Sequence, residues 1–256
     1  IEKHGAGVLT LSGNNSFTGD LNIFAGTLKA GSATGAGDTN SGNVNIKPGA
    51  TLDINSITLG MKAVQVQGAG VNGAGAIINN CSADQTAAFS NVILNGDTTF
   101  GGASRWDIRP INGSGTFNAV GFKLTKVGPN RVQLAGLGET QLGDIAINEG
   151  SLGFETTTTQ GDPTKTITLA PIATLAYFTT GTTPLTKNIV SNGGRFLGEN
   201  GTIAQAGNIL LNADSIFEDS TGSFTVASVI SGAGGLIKNG PGDIILTGCN
   251  TYTGGT

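Results

Sequence analysis

Charge is scarce in this chain. Asp, Glu, Lys and Arg make up 12% of its 256 residues, about half the usual ~25%. The net charge is −4 and the lysines and arginines do not cluster. Nothing in the sequence could neutralise a phosphate backbone, which excludes nucleic acid as a partner. Aromatic residues are only 5%. No stretch approaches the ~18 consecutive apolar residues of a membrane-spanning helix. No segment shows a sustained apolar period of 3.6, so a helical enzyme is excluded as well. The two cysteines, Cys81 and Cys249, are too few for a disulfide framework and lack metal-ligand spacing. The single histidine, His4, has no nucleophile motif to serve, and we read it as structural or solvent-exposed. Ile1 begins neither with Met nor with a charged-then-apolar leader. We therefore expect 1–256 to be a single segment and a mature fragment of something longer. A natural subunit cut at this point is the alternative.

Glycine is abundant instead. There are 43, roughly one residue in six against a usual ~7%. They follow no three-residue period, so collagen is excluded. Ile, Val, Leu and Phe recur at strand spacing, which argues against disorder.

The two ends of the chain share one motif. Lys3–Leu21 reads KHGAGVLTLSGNNSFTGDL and Lys238–Thr256 reads KNGPGDIILTGCNTYTGGT. Superposed, Lys3 meets Lys238, Gly5 and Gly7 meet Gly240 and Gly242, and Leu9 and Leu11 meet Ile244 and Leu246. Asn15 then meets Asn250, Phe17 meets Tyr252, and Gly19 meets Gly254. A weaker copy starts at Lys126 with Gly128, Val132, Leu134 and Gly136. Between them a shorter word recurs: a strand, a polar or glycine corner, then a second strand. It begins at Leu21, Val44, Ile145, Ile167, Ile189 and Ile209. Consecutive starts lie 23, 22, 22 and 20 residues apart (21 to 44, 145 to 167, 167 to 189, 189 to 209). Each strand alternates apolar and polar residues between Gly, Asn, Asp, Ser or Pro corners.

That period predicts an all-β chain, a parallel β-solenoid of roughly 20–25 residues per coil. Coils spaced ~4.8 Å apart would make a rod of ~11 coils, on the order of 50 Å long. Val, Ile, Leu and Phe would point inward, and Thr, Ser, Asn and Lys outward. Cys81 and Cys249 would then sit some seven coils apart, so no bond between them is expected. The stretch 70–125 is less regular and holds the only Trp. The stretch 155–165 reads as an exposed loop. Lys3, Lys126 and Lys238 read as one solvated edge.

The terminal motif resembles the autotransporter-associated β-strand repeat of bacterial passenger domains. Gly5–Leu28 follows its GxGxLxLxGxNxYTGGTxxxxGxL pattern, with Asp20 and Leu21 where the second Gly and the Thr stand; Gly240–Thr256 follows it up to Thr256. The segment 76–109 is similar to one often found between such repeats. The resemblance implies a right-handed parallel β-helix, exported across the outer membrane to an extracellular or cell-surface location. It also implies a separate C-terminal outer-membrane barrel as partner.

Chemistry was sought in the acidic residues, since β-helices also host polysaccharide lyases and hydrolases. Asp214, Glu218 and Asp219 form one group; Glu139, Asp144 and Glu149 another; Arg105, Asp107 and Arg109 a third, beside Trp106. Catalytic carboxylates must converge within ~5–9.5 Å, and none of these recurs in obvious register. Trp106 reads as a core residue or an interface anchor, with a local ion pair beside it. Gly35–Asp38 and Gly240–Asp243 lack the tandem spacing of calcium-binding rolls and read as glycine corners. No catalytic, cofactor-binding or metal residues are assigned. The expected function is non-catalytic: a stalk, an adhesin, or a unit associating end to end into filaments, with a host or cell-surface glycan or protein as partner. The alternative is a β-helical polysaccharide lyase or glycoside hydrolase.

Overall fold

The computed structural model describes residues 1–139, 141–178 and 185–256. The chain winds as a parallel β-solenoid of about eleven turns, near 21 residues each. Its strands fall on three sides. On the first, Leu21–Ile23, Asn43–Ile46, Ala63–Gly68, Asn91–Phe100 and Thr116–Asn118 stack in sequence. The same side is resumed by Thr202–Gln205, Ser223–Val226 and Asp243–Leu246. The second runs from Val8–Leu11 through Gly26–Ala30 and Ala50–Asp53, and on through Leu124–Lys126 to Ile230–Gly232. The third runs from Gln85–Phe89 and Trp106–Ile108 through Arg131–Ala135, Gly150–Glu155, Ala173–Phe178, Arg195–Gly198 and Ser215–Asp219 to Leu236–Asn239.

The sequence words pair as their spacing requires. Leu21 meets Val44, Ile145 meets Ile167, Ile167 meets Ile189, and Ile189 meets Ile209. Identical residue types therefore stack in columns and fill the interior. On the third side one column is Trp106, Val132, Leu152, Leu175, Phe196 and Phe217, all fully buried. Phe196 and Phe217 stack at 4.4 Å between centroids. Corners use positive φ. Gly26 (φ 69°) and Gly150 (φ 63°) turn between sides, each against the backbone of the coil before. A Cβ on Gly150 would lie 2.3 Å from the Asn130 carbonyl oxygen.

The irregular middle has a specific cause. The ten-residue strand Asn91–Phe100 serves two sides at once. Its first half pairs with Ala63–Val66, its last residues with Leu124–Lys126, and a bulge lies between. The strand–corner word runs from side one to side two before this point, and from side two to side three after it. The sequence motif thus slips by one side along the rod.

Two expectations need correction. The three lysines do not mark one solvated edge. Lys3 lies on side one, Lys126 on side two and Lys238 on side three, each in an inward column, opposite Ile23, Ile147 and Phe217. Lys3 and Lys126 are buried, and only Lys238, on the last coil, is exposed. The ammonium groups curl back onto corner carbonyls. Lys126 donates to Val127, Gly128 and Glu149 at 2.8, 2.8 and 3.3 Å. Lys3 does the same with His4, Gly5 and Ala25. Nor is 155–165 an exposed loop throughout. Glu155, Thr158, Gln160 and Gly161 are buried. Thr158 Oγ1 accepts the Leu137 amide at 3.0 Å, and Gln160 donates to the Tyr177 hydroxyl at 3.0 Å. Polar residues there satisfy corner backbone inside the coil, where a purely apolar corner would leave donors unpaired.

Candidate interaction surface

The chain has four arginines, Arg105, Arg109, Arg131 and Arg195. All four project from side three. Period-2 alternation decides this: Trp106 and Ile108 point inward, so Arg105, Asp107 and Arg109 point outward. Register then aligns Arg105 with Arg131, Ser151, Thr174 and Arg195 on successive coils. The adjacent outward column is Asp107, Gln133, Gly153 and Ala176. The column beyond it carries Glu155, Phe178 and Glu199.

Every arginine is paired. Arg105 grips Asp107 through Nε and Nη2, both at 2.8 Å. Arg109 donates to Asp107 at 3.1 Å and to both oxygens of Glu155 at 2.9 and 2.8 Å. Arg131 reaches Glu199 at 2.7 Å, and Arg195 reaches Glu218 at 2.6 Å. Two of these pairs skip coils. Register places Glu199 three coils beyond Arg131, a climb of ~14 Å at one strand spacing per coil. Glu155 lies two coils beyond Arg109. The long side chains lie flat along the rod axis, over a floor of Gln133, Gly153 and Ala176. That floor is outward-facing in register yet buried. Gly153 leaves room for the Gln133 amide: a Cβ would sit 1.9 Å from Gln133 Oε1 and push it aside.

Hydrogen bonds donated to Asp107 hold the Arg105 guanidinium still further up than its ordinary value. Burial pulls Arg109 down, but Glu155 and Asp107 outweigh it and the net direction is upward. Among the described residues, a cleft of about 220 Å³ opens between Arg105, Arg109, Arg131, Glu155, Phe178 and Glu199. On this side four buried polar atoms are without a hydrogen-bond partner: Gln133 Nε2, Ser151 Oγ, Arg195 Nε and Glu199 Oε2, the last from the cleft lining.

The carboxylates singled out from the sequence are dispersed and engaged. Asp214 is exposed and accepts the Gly235 amide at 2.7 Å. Glu218 is the partner of Arg195. Asp219 is fully buried beside the next corner and accepts the Thr221 and Gly222 amides. Glu139 accepts from Ala119, Glu149 from Gly128 and Asp144 from Thr166. Each thus caps a neighbouring coil. His4 is exposed, stacks on Phe24 at 4.6 Å and bonds Glu2. Trp106 is a core residue: it is fully buried between Phe89 and Phe100, with Nε1 donating to Gly101. The ion pair expected beside it is present. Cys81 and Cys249 are free thiols.

Sequence reasoning found the first three members of the arginine face and missed the rest. The signal was the spacing. Positions 131, 151, 174 and 195 advance by one coil each, so a coil count carries Arg131 onto Arg195.

The two terminal stretches, residues 1–30 and 236–256, match the passenger-associated-transport-repeat family. A β-solenoid bearing that repeat at both ends has a defined context. The chain fits an autotransporter passenger domain with repeats. That repeat family implies export to the cell surface and an outer-membrane translocator C-terminal to the passenger. No curated protein and no solved structure matches the chain. Within the chain, the matched stretches hold Lys3 and Lys238, whose ammonium groups donate to corner carbonyls. The arginine face lies between them.

Proposed function

We propose that this passenger segment is a non-catalytic, surface-displayed rod that acts as a spacer and presents its sides for contact. One observation carries the reading. The acidic side chains that could have served chemistry are engaged in holding coils and corners: Asp214, Glu139, Asp144 and Glu149 cap amides of neighbouring coils, Asp219 caps its own corner, and Glu155, Glu199 and Glu218 hold arginines. A lyase or hydrolase needs carboxylates free to exchange protons with substrate. The test is a panel of acidic and neutral polysaccharides incubated with purified protein. We expect no cleavage and no unsaturated product; turnover lost in Asp214→Asn, Glu218→Gln or Asp219→Asn would overturn the reading. Antibody labelling of intact source cells, compared with permeabilised ones, tests display.

End-to-end association of rods is a second reading, favoured by one feature. Leu9, Leu11 and Phe17 on the first coil, and Ile244, Leu246 and Tyr252 on the last, are only partly buried against the core. Such faces receive a neighbouring coil, whether of the same polypeptide or another. Electron micrographs showing single rods at every concentration would remove this reading.

A further inference from the structure

We propose that the cleft on the arginine face binds an acidic saccharide, with the carboxylate of a uronate-type sugar on Arg105 and Arg131 and its ring against Phe178. The inference rests on reading the rod as a contact surface. It adds the place and the ligand chemistry.

A guanidinium carries five N–H donors. Arg105 uses two, on Asp107. Arg131 uses two, on Gln133 and Glu199 Oε1, with Nη2 in ion-pair contact with Glu199 Oε2. Arg109 uses four or more. The carboxylates facing them are engaged: Asp107 by two arginines, both oxygens of Glu155 by Arg109, and Glu199 by Arg131. Three N–H groups of Arg105 and at least two of Arg131 are therefore left for a ligand. The unpartnered atoms add to this side. Gln133 is fully buried, yet its Nε2 has no acceptor, nor has Arg195 Nε; against them stands one unpartnered carboxylate oxygen, Glu199 Oε2. A ligand that engages the free guanidinium N–H groups brings acceptors.

Geometry narrows the class. Guanidinium groups recognise planar oxyanions bidentately. Phe178, 36% exposed at the rim, gives an apolar ring face in an otherwise polar cleft, the usual pairing at sites for ligands with one flat apolar face. A cleft of about 220 Å³ holds a unit the size of one sugar ring. All the arginines are gathered here and each is balanced by a carboxylate, so an incoming carboxylate binds by exchange with one of these partners.

Glu199 is the built-in competitor. It occupies Arg131 from three coils away, and an incoming carboxylate takes its place. Hence substitutions at the two ends of this pair have opposite effects, which a merely structural pair would not show.

The experiment is isothermal calorimetry of the purified chain with a galacturonate oligomer. A neutral galactose oligomer and a glutamate oligopeptide of the same length serve as controls. We expect binding of the uronate only, weakening as salt rises from about 50 to 300 mM. Arg131→Gln should weaken it by about tenfold or more, a loss of about 1.4 kcal/mol. Glu199→Gln should tighten it several-fold. Circular dichroism and melting curves report whether each variant folds, and Arg105→Gln substitutes if Arg131→Gln does not. No heat at millimolar uronate, equal binding of the neutral sugar or the peptide, or weaker binding in a folded Glu199→Gln would each overturn the proposal. None of these outcomes bears on display or on catalysis, so the two readings fail separately.

Discussion

Two kinds of residue decide whether a coil can close. At corners, glycine supplies both φ and space. Gly121 (φ 83°) and Gly150 (φ 63°) both need the left-handed region, but only Gly150 faces backbone, with the Asn130 and Gly128 oxygens at 2.3 and 2.4 Å from a Cβ. Gly121→Ala should therefore cost about 1–2 kcal/mol from φ alone, and Gly150→Ala distinctly more, because coils must separate to admit it. Paired thermal melts check the ordering. The buried lysines set a pH response. Burial pushes Lys126 down to about 7 and Lys187 to about 8 from an ordinary 10.5. Between these values and 10.5 the unfolded chain holds more protons than the folded one, so stability rises with pH over that window; below about 7 the dependence vanishes. The melting temperature should climb between about pH 7 and 9.5, and climb less in Lys126→Met.

At the scale of strands, the coil-skipping pairs are the informative feature. Arg131 and Glu199 are about a fifth to a quarter exposed at the side chain, more sheltered than a surface pair. A double-mutant cycle with Arg131→Met and Glu199→Gln should give a coupling of about 1 kcal/mol, falling as salt is raised. Strands are also where the sequence was most readable. Ile145, Ile167, Ile189 and Ile209 announced the stacking, because parallel in-register coils repeat an inward residue type at the coil period. Lys126 looks solvated in the sequence for a related reason. Its column neighbours are Phe100 and Ile147, but a lysine pattern looks solvated until the corner carbonyls that hold its ammonium are seen. The paths of Arg109 to Glu155 and Arg131 to Glu199 were illegible, since they depend on side chains lying along the axis over Gly153 and Ala176. No periodicity records that direction.

Across the whole molecule, each coil touches only its neighbours, so stability is local and opening is graded. Hydrogen exchange should be slowest for the amides of Trp106–Ile108, Arg131–Ala135 and Gly150–Glu155, in the strapped middle. It should be fastest for Val8–Leu11 and Asp243–Leu246 on the outer coils. Uniform exchange along the rod would contradict this picture. The straps have a further consequence when the rod is pulled from its two ends. Backbone bonds between coils then lie along the pull and fail one rung at a time, as a zipper opens. Arg109–Glu155 and Arg131–Glu199 each span several rungs, so tension entering this block is shared across coils and the peel must pause there. A tether built this way yields slack from its extremities first and keeps its middle, with the arginine face, intact until the force is highest.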